Sequence, residues 1–261
     1  MTPVSAAAPL LRTTQLTVKV GERVLVAALD LVVQPGQFWC LLGPNGAGKT
    51  LLLHTLAGAR APGQGAVAVA GRALAEWPPA ALARQRGLLP QQLHDAFSAS
   101  VLDVVLQGRH PHLARWAWEG EAEQALARQA LARVGLAGFE ARDVLTLSGG
   151  ERQRVALATL LVQDPPLVLL DEPLAHLDLA HQLEVAALLA AEVHERGRAV
   201  VMSVHDLSLA QRVGTHALLL GQGEAWAGPI DAVMREDTLS RVFAHALQRH
   251  LIDGRVWWLP T

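Results

Sequence analysis

The run Gly43-Pro44-Asn45-Gly46-Ala47-Gly48-Lys49-Thr50 spaces its glycines, lysine and hydroxyl as a phosphate-gripping loop requires. Glycines let successive backbone N–H groups converge on phosphate oxygens. Lys49 is placed to reach the β- and γ-phosphates of a nucleotide, and the Thr50 hydroxyl to join a magnesium shell. Far downstream, Leu167-Val168-Leu169-Leu170-Asp171-Glu172 delivers two carboxylates at the end of an apolar run. Asp171 suits magnesium, directly or through water, and Glu172 can point at an attacking water as general base. Between the two lies LSGGERQ, Leu147 to Gln153. A Ser, two glycines and a helix-forming run look like a second anion loop, yet it has no lysine of its own. Read alone, it is better taken as a Ser cap with Glu151 closing a capping box.

The surrounding pattern must position these groups. Leu11 to Gly43 alternates polar and apolar residues, with turns at Gly21-Glu22 and Pro35-Gly36, and predicts several short strands. Phe38 to Leu42 is a continuous apolar run, the mark of a strand buried on both faces. Thr50 to Ala57 predicts a helix stopped by Gly58, and Gly65 to Leu74 a second β region. From Pro79 to about Val144 strand signals vanish and helical ones dominate, in PAALARQ, VLDVVLQG and EAEQALARQALARVG. Helices are then predicted over 151–163 and 183–196, strands over 167–170 and 199–203, and a mostly helical tail from Met234 until Val256-Trp257-Trp258. The whole reads as one domain over 1–261. Its core covers about 10–91 and 155–233, a helical subdomain about 92–154, and a C-terminal helical tail about 234–261.

Bulk properties exclude several classes. Lys plus Arg is 22 against 24 Asp plus Glu, so the balance does not suggest a nucleic-acid binder. Cys40 is the single cysteine, which rules out an internal disulfide and fits a reducing compartment. The N-terminal MTPVSAAAPLLR lacks the pattern of a signal peptide, and no apolar run reaches the length of a membrane span. The expectation is a cytoplasmic protein, held at a membrane, if at all, by a partner.

The order of phosphate loop, helical insert, LSGGE, LLLDEP, AHLD and SVHD resembles the nucleotide-binding subunits of ABC transporters, from about Leu16 to Gly228. The resemblance implies an α/β fold: a P-loop NTPase core of the ABC type, with an N-terminal antiparallel β region and an inserted α-helical subdomain. It implies ATP and Mg2+ as cofactors and a head-to-tail homodimer, each ATP lying between the phosphate loop of one subunit and the signature of the other. On that reading Ser148 bonds the γ-phosphate of the partner's nucleotide, Gly149 and Gly150 permit close approach, and the missing lysine comes from the other subunit. Gln91 in LLPQQ matches the Q-loop glutamine that senses magnesium and water, with Gln92 the alternative. Asp178 matches the D-loop aspartate at the dimer interface, and His205 the switch histidine that contacts the γ-phosphate.

Four positions depart from the family pattern. Val20 stands where an aromatic residue usually stacks on adenine, Leu51 where a second hydroxyl is common, and Leu174 and His176 where Thr or Ser and Ala are common. Gly108-Arg109-His110-Pro111-His112, with LSGGE and EWPPAALARQRGLLPQQ, is similar to the importer ATPases for iron-siderophores, haem and cobalamin. This implies two copies of a polytopic permease, a periplasmic substrate-binding protein upstream and a place at the cytoplasmic face of the inner membrane. The alternative is a soluble ATPase of the same family serving iron–sulfur cluster assembly. The bland reading of Arg109 and His110 is a solvated helical face.

Overall fold

A computed structural model describes residues 8–93, 97–113, 119–221 and 223–261. Strands β1 (Leu11–Val20), β2 (Arg23–Leu29) and β3 (Val32–Val33) open the chain, followed by β4 (Phe38–Leu42) and helix α1 (Lys49–Leu56). Next come β5 (Gln64–Val69), β6 (Arg72–Ala73), α2 (Pro79–Gln85) and β7 (Arg86–Leu89). The helical stretch holds α3 (Val101–Leu106), a 3-10 run over Gln107–His112, α4 (Glu121–Arg133) and the start of α5 (Gly149–Gln163). The second half runs β8 (Leu167–Leu170), α6 (Leu179–Arg196), β9 (Ala199–Ser203), α7 (Leu207–Val213), β10 (His216–Gly221) and β11 (Glu224–Pro229). It closes with α8 (Ile230–Val233), α9 (Glu236–Phe243), β12 (Leu247–Ile252) and β13 (Arg255–Pro260).

Two sheets carry the architecture. β1, β2, β3, β5 and β6 form an antiparallel sheet. The other sheet has the order β11-β10-β4-β9-β8-β7, and all its neighbours from β10 to β7 pair in parallel. Alternate residues of its central strands enter two different cores. Phe38, Cys40 and Leu42 pack with Val168, Leu170, Val200 and Met202 on the face covered by α5 and α6. Trp39, Leu41, Leu167, Leu169, Ala199 and Val201 pack with α1 and the antiparallel sheet on the other. Burial on both faces explains why these strands read as unbroken apolar runs. The sheet therefore presents the ends of β4, β8 and β9 side by side, at the carboxyl edge where open α/β sheets bind ligands.

Two expectations are corrected. The stretch after Pro79 contains a strand, β7, which pairs with β8 at the sheet edge (Leu89↔Leu170). Four residues, RGLL, are too few to show a period, and only pairing with β8 makes them extended. The tail is also not mostly helical: α9 ends at Phe243, and residues 247–260 form a two-stranded hairpin. Its turn, Asp253-Gly254, has positive φ at both residues (50° and 74°), as a two-residue primed turn requires. Trp258 of that hairpin is buried in the core against which α7 packs. Among the described residues no helix is long and apolar enough to cross a membrane.

Candidate nucleotide-binding site

A cleft of about 630 Å³ opens at the carboxyl edge of the sheet, within the range of small-ligand sites. Asn45, Gly46, Gly48, Lys49, Thr50, Gln91, Glu172 and His205 line it, with Leu25 and Leu51. The phosphate loop turns sharply out of β4. A side chain at Gly43 would meet the Leu220 carbonyl oxygen at 2.4 Å, so only glycine lets β4 run this close to β10. Lys49 is buried, and its Nζ donates to the carbonyls of Gly43 (2.8 Å) and Pro44 (3.3 Å). Burial pulls the Lys49 pKa below its ordinary value, against the opposing pull of the Glu172 and Asp171 carboxylates.

Glu172 is the hub. His205 Nε2 donates to its Oε1 at 2.7 Å and Gln91 Nε2 to its Oε2 at 2.8 Å. Its backbone is left-handed, with φ 49°, a conformation costing a non-glycine residue about 1 kcal/mol or more. The structure reaches Gln91 through β7. The Asp171 N–H donates to the Leu89 carbonyl (2.9 Å), continuing the ladder so that Gln91 arrives beside Glu172. Gln92, the alternative, does not line the cleft.

Asp171 is fully buried. Its Oδ1 accepts from the Ser203 hydroxyl at 2.8 Å, and its Oδ2 has no hydrogen-bond partner. A buried carboxylate oxygen without a partner is costly unless something else uses it. Asp171 itself does not line the cleft, but its orphaned oxygen and the cleft-lining Thr50 hydroxyl are both hard-oxygen donors of the kind Mg2+ takes.

Ser148, Gly149, Gly150 and Asp178 do not line this cleft. Ser148 caps α5 in a full capping box: the Glu151 N–H donates to Ser148 Oγ (3.2 Å), and Glu151 Oε2 accepts from the Ser148 N–H (2.8 Å). The Ser148 N–H is the largest influence holding the Glu151 carboxyl below its usual pKa. The N-terminus of α5 lies against the chain before α6. A side chain on Gly149 would sit 3.6 Å from His176 Cβ, and one on Gly150 3.0 Å from the His176 carbonyl oxygen. Asp178 caps α6 and is exposed; its Oδ1 accepts from the His181 N–H (2.9 Å) and approaches His181 Nδ1 (2.8 Å). The capping reading of LSGGE is therefore a structural fact, with Ser148 and Gly149 exposed at the surface.

Residues 26–175, more than half of the chain, match the family described as ABC transporter. The chain belongs to the ABC transporter family. Among curated members, it is 43% identical over 222 residues to the hemin import ATP-binding protein HmuV of Gloeobacter violaceus, covering 82% of this chain and 80% of that one. It is 41% identical to the HmuV of Deinococcus radiodurans, covering 92% of each. It is 36% identical to the iron(3+)-hydroxamate import ATP-binding protein FhuC of Bacillus subtilis, covering 89% of this chain and 87% of that one. A solved metal-chelate type ABC transporter in an inward-facing conformation superposes with a TM-score of 0.84 at 27% identity, over 97% of this chain and 98% of that one. A dimeric ATP-binding cassette bound to ADP and Pi gives 0.75 at 26% identity, over 84% of this chain and 98% of that one.

Within this ABC chain, the departures fall at particular places. Val20 is half exposed at the end of β1 and does not line the cleft; Leu25, which no sequence pattern singles out, does. Leu51 lines the cleft where a hydroxyl is common. Ser203, also without a sequence signal, holds Asp171 and donates no side-chain atom to the cleft.

The GRHPH run is not merely solvated. A side chain on Gly108 would meet the Thr159 carbonyl oxygen at 2.2 Å, so the run lies directly on α5. Arg109 Nη1 donates to the Val162 carbonyl (3.3 Å) and His112 Nε2 to the Gln163 carbonyl (2.8 Å). Both cover the carbonyl end of α5, where the Arg109 guanidinium complements the helix dipole. His110 faces Glu119 at 3.3 Å on the surface. Replacing Gly108 by Ala should force the run off α5 and cost about 1–3 kcal/mol, read as a lower denaturation midpoint in urea.

Proposed function

We propose that this chain is the ATP-hydrolysing subunit of a bacterial importer for an iron complex, haem or an iron-siderophore, or for cobalamin. It works as a head-to-tail homodimer at the cytoplasmic face of the inner membrane. Two copies of a polytopic permease carry the cargo, delivered by a periplasmic substrate-binding protein. The observation that carries the catalytic part is Glu172, gripped by Gln91 and His205 beside the phosphate loop. The named relatives, curated as hemin and iron(3+)-hydroxamate import ATP-binding proteins, support the importer part.

The residues divide the work as follows. Backbone amides from Asn45 to Thr50, at the N-terminus of α1, bind the phosphates. Lys49 leaves the Gly43 and Pro44 carbonyls for the β- and γ-phosphates, a better-matched partner for its buried charge. Thr50 and Asp171 Oδ2 would hold Mg2+, which when bound neutralises charge on the phosphate oxygens. Glu172 takes the proton of the attacking water, Gln91 orients that water, and His205 turns from Glu172 to the γ-phosphate. The partner subunit's Ser148, Gly149 and Gly150 cover the γ-phosphate, with the partner's Asp178 at the interface. ATP thus closes the dimer and hydrolysis reopens it, moving the permease.

Copurification tests the reading. The tagged chain, taken from gently solubilised membranes of its host, should bring down a polytopic permease in equal amount. Recovery only from the soluble fraction with cytosolic partners would overturn it.

A further inference from the structure

We infer that Ser203 is a positioning residue for the hydrolysis reaction, setting the two acidic residues by one hydroxyl; the inference rests on the functional reading above. Ser203 ends β9, the strand between β4, which feeds the phosphate loop, and β8, which feeds Asp171 and Glu172. It pairs with Leu41 of β4 in the parallel register. Its side chain is buried and makes two hydrogen bonds of opposite sense. The hydroxyl donates its one proton to Asp171 Oδ1 at 2.8 Å and accepts from the Glu172 N–H at 2.7 Å.

Each bond has a consequence for the site. Engaging Oδ1 fixes the Asp171 side chain so that Oδ2, buried and without a partner, is the oxygen left for a cation. Accepting from the Glu172 N–H satisfies the one backbone donor that the left-handed turn at φ 49° takes out of the β ladder. That turn aims the Glu172 carboxylate into the cleft, where Gln91 and His205 meet it. An aliphatic residue at 203 would leave the Glu172 N–H unpaired and let Asp171 rotate. A water molecule cannot easily substitute, because Ser203, Asp171 and the strand ends around them are buried.

The test compares Ser203→Ala with Ser203→Thr and Ser203→Val in the purified full chain. Thr and Val have the same shape and differ only by the hydroxyl. Four quantities are read: kcat for ATP, the Mg2+ concentration giving half-maximal turnover, ATP binding in EDTA, and Tm. The expected result for Ala and Val is a fall in kcat of about 10- to 100-fold and a rise in the Mg2+ requirement, the usual size for a group that orients a metal ligand. ATP binding in EDTA stays at the native level, and Thr restores turnover relative to Val. Native kcat and Mg2+ dependence in Ala would overturn the inference. So would equal losses in Thr and Val, or a fall in metal-free ATP binding that tracks Tm. If Ala does not fold, the Thr–Val pair decides alone. Glu172→Gln in the same assay separates the inference from its premise: full activity there removes the general-base reading, whatever Ser203 does.

Discussion

Glu172→Gln binds ATP like the native chain and turns it over about 10²- to 10⁴-fold more slowly, the range a positioned general base contributes. The geometry makes the substitution a clean one. The amide has the size of the carboxyl, so the strained turn and its Ser203 contact remain. The amide oxygen can still accept the His205 N–H, while the amide nitrogen faces the Gln91 amide, which rotates to present its oxygen. What disappears is the ability to take a proton from water. Steady-state phosphate release together with equilibrium ATP binding checks the outcome. Native turnover in the variant would show that the carboxylate only orients its neighbours.

The second large effect concerns stability. Glu192 of α6 is buried, with 2% of its surface exposed, and three arginines converge on it. Arg133 comes from α4 in the helical insert, Arg196 from the end of α6, and Arg198, itself 5% exposed, from the approach to β9. Asp164, closing α5, shares Arg196 and Arg198. Burial pushes the Arg198 guanidinium down to about 10, so it still carries its charge at neutral pH. Glu192→Ala strips the main counter-charge from a buried cation, a change that typically costs about 3–5 kcal/mol. Arg196→Ala, at a half-exposed position, should cost less than about 1 kcal/mol. Urea unfolding of both variants measures the contrast. Equal, small losses would mean that α4 and α6 are held by apolar packing and not by this network.

The catalytic groups were legible in proportion to how local their spacing is. Gly43 to Thr50 run from the end of one strand into the first turn of one helix, so eight consecutive residues announce both their shape and their chemistry. Asp171 and Glu172 follow four buried residues whose apolar run marks the strand. LSGGE is legible twice over, because Ser148 and Glu151 cap α5 whatever else they do. The family resemblance was needed for Gln91, Asp178 and His205, since a lone Gln, Asp or His has no signal of its own. Parts of the fold also escaped. β7 becomes a strand only because β8 supplies its hydrogen bonds, and a hairpin stands where the tail is expected to be mostly helical up to Val256, although Asp253-Gly254 is a strong local turn signal.

The sequence by itself determined the phosphate loop, the two carboxylates, the capped signature helix and the apolar strands that deliver them, because each depends on contacts within a few residues. Only the tertiary structure decided that Gln91 and His205, 114 positions apart in numbering, grip the same carboxylate, and that Ser203 bridges Asp171 and Glu172. It also decided that Arg109 and His112 serve the end of α5 and that Arg133 reaches Glu192 across the helical insert. These contacts join residues far apart in the chain. They exist because strand order in the parallel sheet, and the burial of both its faces, bring distant segments to hydrogen-bonding distance.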